Sequence, residues 1–231
     1  MSNRTIILIA DSAVLNPTVI KPFQNLSTQY SVYLHSLLLS NWIDILNELK
    51  ENTNLIILFS EKDKEYVPKN FIPKIFNIVY YSGSEFEYSE EFIKQKLSNN
   101  TKTLFLFHNS IGIKQDDFER IFNLAQSEEN SIVLLKSKSN QIIGTCIYEL
   151  DKILINSLFT SNRNYKNYLN SISSQDVFIH TLEVFLSIDD FEDIKKLYIE
   201  LSKKESLSYC SQKMHESFND LFVEYKEKLN E

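Results

Sequence analysis

Glycine and proline are scarce in this chain, at 3 and 4 residues out of 231. A phosphate-cradling loop of the P-loop or dinucleotide type needs several closely spaced glycines, so neither can be built here. The two cysteines, Cys146 and Cys210, lie far apart, with no CxxC pair and no Cys/His cluster. That spacing argues against a disulfide framework or a structural zinc site and fits a reducing compartment. The only arginines are Arg4, Arg120 and Arg163, which leaves few candidates for a bidentate anion fork. Positive charge is outnumbered as well: 24 Lys and Arg face 31 Asp and Glu, a net charge of −7. An acidic chain lacks the clustered basic surface on which nucleic-acid binding relies. No stretch approaches the roughly 18 apolar residues of a membrane span. The N-terminal run TIILIA is too short for a signal-peptide core. The expectation is a soluble, cytoplasmic protein with no nucleic-acid partner.

What the chain has is apolar material: 43% hydrophobic and 13% aromatic residues. That is ample for a sizeable core and excludes global disorder. The length suits one large domain, or one domain with an appendage. The short β-branched run Thr5–Ala10 reads as a strand buried on both faces and Leu55–Ser60 as a second buried strand, and Ile75–Tyr81, Thr103–Phe107 and Ser131–Lys136 read as further strands. Gln141–Tyr148 reads as a further strand, antiparallel to its neighbour through the polar turn Ser137–Asn140.

Helical spacing marks Leu26–Leu49, Glu85–Asn99, Gln115–Glu128, Asp151–Phe159, Tyr165–Ser171, Gln175–Phe185, Phe191–Ser202 and Met214–Leu229. Strands alternating with helices predict a three-layer α/β sandwich around a mainly parallel sheet. Residues 1–202 form the expected α/β domain, and 203–231 a C-terminal helical extension packed on it. The stripe Phe218, Leu221, Phe222, Tyr225 and Leu229 either docks that helix or offers it to a protein partner or a second copy.

In a fold of this class, chemistry sits where a parallel strand runs out into a turn. The turn His108-Asn109-Ser110-Ile111-Gly112 is such a place. His108 could serve there as a base near neutral pH; a plain helix-capping loop is the alternative. Asp116-Asp117 resembles a metal pair, yet first-turn carboxylates that complement a helix dipole are the better reading. Asp189, Asp190, Glu192 and Asp193 make the densest acidic cluster. It reads either as half of a cation site or as the cap of the following helix. His180 lies on an expected helix as a structural histidine. His35 and His215 have no evident catalytic partner.

Several stretches are similar, in order, to the small bacterial glycosyltransferase-A-like family of the nucleotide-diphospho-sugar transferase superfamily, the selenodomain-associated transferases among them. Phe107-His108-Asn109-Ser110-Ile111 stands at the family's G-[ST]-D-x-P turn. Ser139-Asn140-Gln141-Ile142-Ile143-Gly144 stands at its DGGYYLIG-like segment and keeps the last glycine. Ile172–Leu182 keeps the serine, valine, threonine and leucine of W-S-T-x-x-V-L-x-x-T-L. Ser187-Ile188-Asp189-Asp190-Phe191-Glu192-Asp193-Ile194 parallels D-[IV]-D-T-x-E-D-L. The likeness spans about residues 4–200 and implies the GT-A-like, nucleotide-diphospho-sugar transferase fold.

For function, the resemblance implies a sugar nucleotide and a divalent cation, Mg²⁺ or Mn²⁺, held by carboxylates. The departures fall on those ligands. The expected turn carboxylate is Asn109, and the first Asp of the C-terminal motif is Ser187. The family's basic early loop is Asp11–Lys21 here, with only Pro17 and Lys21 in common, and Asp11 would repel a phosphate. Hard cations select for negative oxygen ligands, so these losses imply decayed transfer chemistry. The residues of such a vestigial pocket are Asp11, Ser12, Lys21, His108, Asn109, Ser110 and Asp189. The expected function is a binding or assembly protein. An active glycosyl- or nucleotidyltransferase, and a scaffold subunit that recruits another enzyme, are the alternatives.

Overall fold

The computed structural model describes residues 4–10, 12–49, 53–82, 102–125, 130–148 and 151–229. In chain order they form β1 (Arg4–Ile9), α1 (Thr28–Asn47), β2 (Thr53–Ser60), β3 (Phe76–Tyr81), β4 (Lys102–Phe107), β5 (Ser110–Ile111) and α2 (Gln115–Leu124). There follow β6 (Ser131–Ser137), β7 (Ile142–Tyr148), α3 (Lys152–Thr160), α4 (Tyr165–Ser171), β8 (Phe178–Ser187), α5 (Phe191–Leu201) and α6 (Gln212–Glu224). The eight strands make one sheet in the order β3-β2-β1-β4-β7-β6-β8-β5. β1 pairs in parallel with both β2 and β4. β7 is wedged antiparallel between β4 and β6, as the hairpin reading of Ser137–Asn140 anticipates. Asn140 closes that hairpin at φ 63°, a conformation asparagine tolerates better than most residues.

Alternate residues of the central strands face opposite layers. Ile6 and Leu8 point to the layer of α1 and α2, where Trp42, Leu46, Phe118 and Phe122 are buried. Ile7 and Ile9 point to the layer of α3 and α4, against Leu154, Leu158 and Tyr168. That two-sided burial is why β1 reads as an unbroken apolar run. A third cluster joins the other side of α1, through Leu34, Leu37 and Leu38, to α5 and α6. Met214, Phe218, Leu221 and Phe222 of α6 are buried in it, so that apolar stripe is covered by the chain's own helices.

Two expectations change. The span Gln175–Phe185, read as a helix, runs from Phe178 onward as part of β8, which pairs in parallel with β6 from Ser131↔Phe178 to Ser137↔Phe185. The spacing of Val177, Phe178, Leu182 and Phe185 fits a helix, but β6 has a pairing edge to satisfy. A β-branched and aromatic segment fits that edge, and tertiary pairing decides. His180 therefore lies on a strand, its ring edge-on to Phe178 at 4.8 Å. The expected helix 85–99 lies outside the described residues, as do 126–129 at the end of the helix that begins at Gln115.

Candidate functional site: a crevice closed by its own side chains

In an open α/β sheet, ligands bind beyond the carboxyl ends of the strands where the strand order reverses. Here β2 lies on one side of β1 and β4 on the other, so the place is the end of the β1–β4 pair. Three groups converge on it, and each closes on a partner from the same chain.

The first is His108, wholly buried. Its backbone N–H donates to the Ile9 carbonyl at 3.0 Å, and its Nδ1 lies 3.3 Å from the same oxygen. Its Nε2 meets Nδ1 of His35 at 2.9 Å. With the His108 Nδ1–H aimed at the carbonyl, Nε2 is a lone pair and His35 donates to it. Phe23 stacks on His35 at 5.0 Å. Burial, with the Arg163 charge second, pushes His108 down to about 3. The imidazole is neutral at physiological pH and poorly suited to act as a general base there. Sequence reading missed His35 because its partner is 73 residues away.

The second is Asp63, fully buried after β2. Its carboxylate accepts from the backbone N–H groups of Val14, Leu15 and Asn16, each at 2.9 Å. Consecutive amides converging in a loop form an anion nest. This nest, in the loop after β1, is filled by the chain's own carboxylate. Burial pushes Asp63 up, and the three N–H groups pull against it. Ser12 and Lys21 are exposed elsewhere in this loop, and Asp11 lies outside the described residues.

The third is Arg163, on the connection from α3 to α4. Asn162 and Arg163 adopt φ 50° and 58°, which turns the guanidinium toward the end of β4. It donates to Asn109 Oδ1 at 2.6 Å and to Asp189 Oδ1 at 3.0 Å. It also lies over the Phe107 ring at 4.8 Å, a cation–π geometry. Asn109 Nδ2 donates to Asp189 Oδ1 at 2.7 Å. Ser187 donates to Asp189 Oδ2 at 2.5 Å. The antiparallel pair Ser110↔Ser187 brings these residues together, and Ser110 itself donates to the Phe107 carbonyl at 2.8 Å.

The donor set does not fit a divalent cation. It offers a single carboxylate, whose two oxygens are already engaged, and an amide whose oxygen faces a guanidinium. Hard cations need several oxygens and counted negative charge. No cluster of three His, Cys, Asp or Glu side chains suited to a metal occurs among the described residues. The neighbouring acids are helix caps. Asp190 is the N-cap of α5 and accepts from the Asp193 N–H. Asp116 and Asp117 occupy the first turn of α2, and Asp117 accepts from the Lys114 N–H at 2.9 Å.

Comparison with solved structures places this architecture. The chain matches a provisionally assigned nucleotide-diphospho-sugar transferase from Desulfovibrio desulfuricans G20 at a TM-score of 0.68 and 12% identity, covering 97% of this chain and 99% of that one. The fold is that of the nucleotide-diphospho-sugar transferases. A 4-diphosphocytidyl-2C-methyl-D-erythritol synthase from Anaerococcus prevotii matches at a TM-score of 0.54 and 13% identity, covering 87% of this chain and 96% of that one. No protein-family model and no curated protein matches the sequence. Within this transferase fold, Asn109, Ser187 and Asp189, the departures and remnants singled out in the sequence, sit in one hydrogen-bonded group around Arg163. Gly144, the glycine kept in the resemblance, lies inside β7. A Cβ there would stand 2.6 Å from the Phe105 carbonyl oxygen. Its place is set by strand packing.

Proposed function

We propose that this is a transferase-fold protein that has left transfer chemistry behind and works as a binding or assembly protein. The observation that carries the reading is the Arg163 guanidinium bonded to both Asn109 and Asp189. A permanent side-chain cation there satisfies the remaining acid without metal. A guanidinium cannot bridge a diphosphate while committed to those two partners. The amide nest filled by Asp63 and the crevice filled by His35 and His108 support the same reading. The apolar stripe of α6 is buried against α1 and α5, so assembly through that stripe would require the helix to undock.

The test is thermal unfolding against UDP, GDP, CDP and their sugar conjugates, each with and without Mn²⁺. A ligand present at about 100 times its Kd adds roughly 2.7 kcal/mol. The expected result is no shift at millimolar ligand. A Mn²⁺-dependent shift with one sugar nucleotide would sink the reading and point to an active glycosyl- or nucleotidyltransferase.

A further inference from the structure

Along the same carboxyl edge of the sheet, past β7, lies a cavity of about 530 Å³. That volume falls within the range of small-molecule sites. Its apolar lining comes from Ile111 of β5, Phe185 and Leu186 of β8, and Tyr209 after α5. Gly112, at φ 116°, also borders it, so part of the wall is bare backbone in a conformation that favours glycine.

The charges of the cavity are unequally used. Asp193 is held by Lys196 at 2.8 Å. Glu200 is held by Lys203 at 2.5 Å and receives the Tyr209 hydroxyl at 3.2 Å. Lys114, before α2, and Lys138, in the β6–β7 turn, also line the cavity. Neither makes an ion pair among the described residues. Glu205 also lines the cavity, so four lysines, Lys114, Lys138, Lys196 and Lys203, face three acids, Asp193, Glu200 and Glu205. Lys138 also acts through space on Glu200, and the balance leaves the space net positive, with two ammonium groups from different elements bordering it.

We propose that this cavity binds a small amphipathic anion. Its apolar body would lie on Ile111, Phe185, Leu186 and Tyr209, and its phosphate or carboxylate head between Lys114 and Lys138. A lone anion would gain little from ammonium groups that water solvates well. A lone apolar body would gain nothing from either charge. The combination rewards a ligand that carries both. None of these residues belongs to the closed crevice, so the proposal stands apart from the loss of transfer chemistry. Asp193 alone touches both places, because it accepts the Asp189 backbone N–H at 3.2 Å.

The experiment is calorimetric titration of the full chain with naphthyl phosphate, naphthoate, naphthol and inorganic phosphate. One of the two naphthyl anions should bind, and the tighter of them identifies the head group. Naphthol and inorganic phosphate should each bind more weakly by roughly tenfold or more. Binding should weaken as salt rises. The pair Lys114→Glu with Lys138→Glu should weaken the anion by roughly tenfold or more and leave naphthol unchanged. Ser139→Trp, which puts a bulky ring on the cavity wall, should remove both, with an unchanged melting temperature showing that the fold persists. Equal binding of naphthol and the anions, indifference to the lysine changes, or no binding of any probe at millimolar concentration would each overturn the proposal.

Discussion

The crevice at the ends of β1 and β4 and the cavity beside β5 and β8 lie on one edge of one sheet, yet they treat charge in opposite ways. In the crevice every charged group described has an internal partner: Asp63 has three amides, and Asp189 has Arg163, Asn109 and Ser187. In the cavity, Lys114 and Lys138 are exposed and make no direct ion pair among the described residues, although Lys138 acts through space on Glu200. A network closed on itself rigidifies its surroundings and presents little to a ligand. Exposed ammonium groups above an apolar wall keep their binding capacity. The two proposals rest on this difference: a closed network at the strand-order switch and a more open, net positive cavity farther along the same edge.

The largest effect is expected from Asp63→Ala. It orphans three buried N–H groups and should cost about 3–5 kcal/mol, measured by urea unfolding. A cost under about 1 kcal/mol would mean that water reaches the nest, and the contrast between the two regions would break. Gly144→Ala comes next, because β7 separates the regions. Its Cβ would meet the Phe105 oxygen at 2.6 Å and Leu106 Cδ2 at 2.8 Å. Overpacking there should cost about 2–3 kcal/mol, read as a lower denaturant midpoint.

Arg163→Ala should cost about 1–3 kcal/mol, since it strips Asn109 and Asp189 of their shared donor. Arg163→Lys should recover little of this, because an ammonium cannot reproduce a fork that reaches two acceptors. Chemical denaturation of both variants checks it, and full rescue by lysine would show that charge alone matters there.

Acid should test the imidazole pair. Folded His108 takes its proton only near pH 3, whereas the unfolded residue does so near its ordinary 6.5. Between those values the unfolded chain binds more protons, so stability falls as pH drops below 6.5. Melting temperature against pH should show that fall, and His108→Asn should flatten it. The smallest effect is expected at the cavity. Lys138→Glu should move stability by no more than about 0.5 kcal/mol. A larger loss in thermal unfolding would show that this lysine is structural after all.

Much of the fold could be read from local pattern. The runs that became β1, β2, β4 and β6 are apolar because both faces of a parallel sheet are covered. Asp117 reads correctly as a first-turn acid, and of the two readings of Asp190 the helix cap is the one its hydrogen bond to the Asp193 N–H supports, because capping is a three-residue affair. β8 was misread because its apolar spacing satisfies two periods, and only the open edge of β6 selects one. In the site, Asn109 and Asp189 stood out by their place at strand and helix ends. Arg163, Asp63 and His35 did not. Arg163 is 54 residues from Asn109, Asp63 is 47 to 49 from the amides it caps, and His35 is 73 from His108. The nearest local hint was the Asn162-Arg163-Asn164 run, which favours the left-handed turn.

The sequence by itself determined the layered α/β architecture, because burial periodicity and helix capping act over a few residues. It also determined that glycines for a phosphate-cradling loop are too few and that the turn after β4 carries Asn109, where the resemblance leads one to expect a carboxylate. Only the tertiary structure decided what fills those places. Strand pairing carried Asp189 to Asn109, the α3–α4 connection delivered a guanidinium between them, and the end of β2 delivered a carboxylate to the amides of the first loop. Such partners are chosen by the desolvation cost of leaving buried polar groups unmet, and that cost exists only once the chain has closed around them.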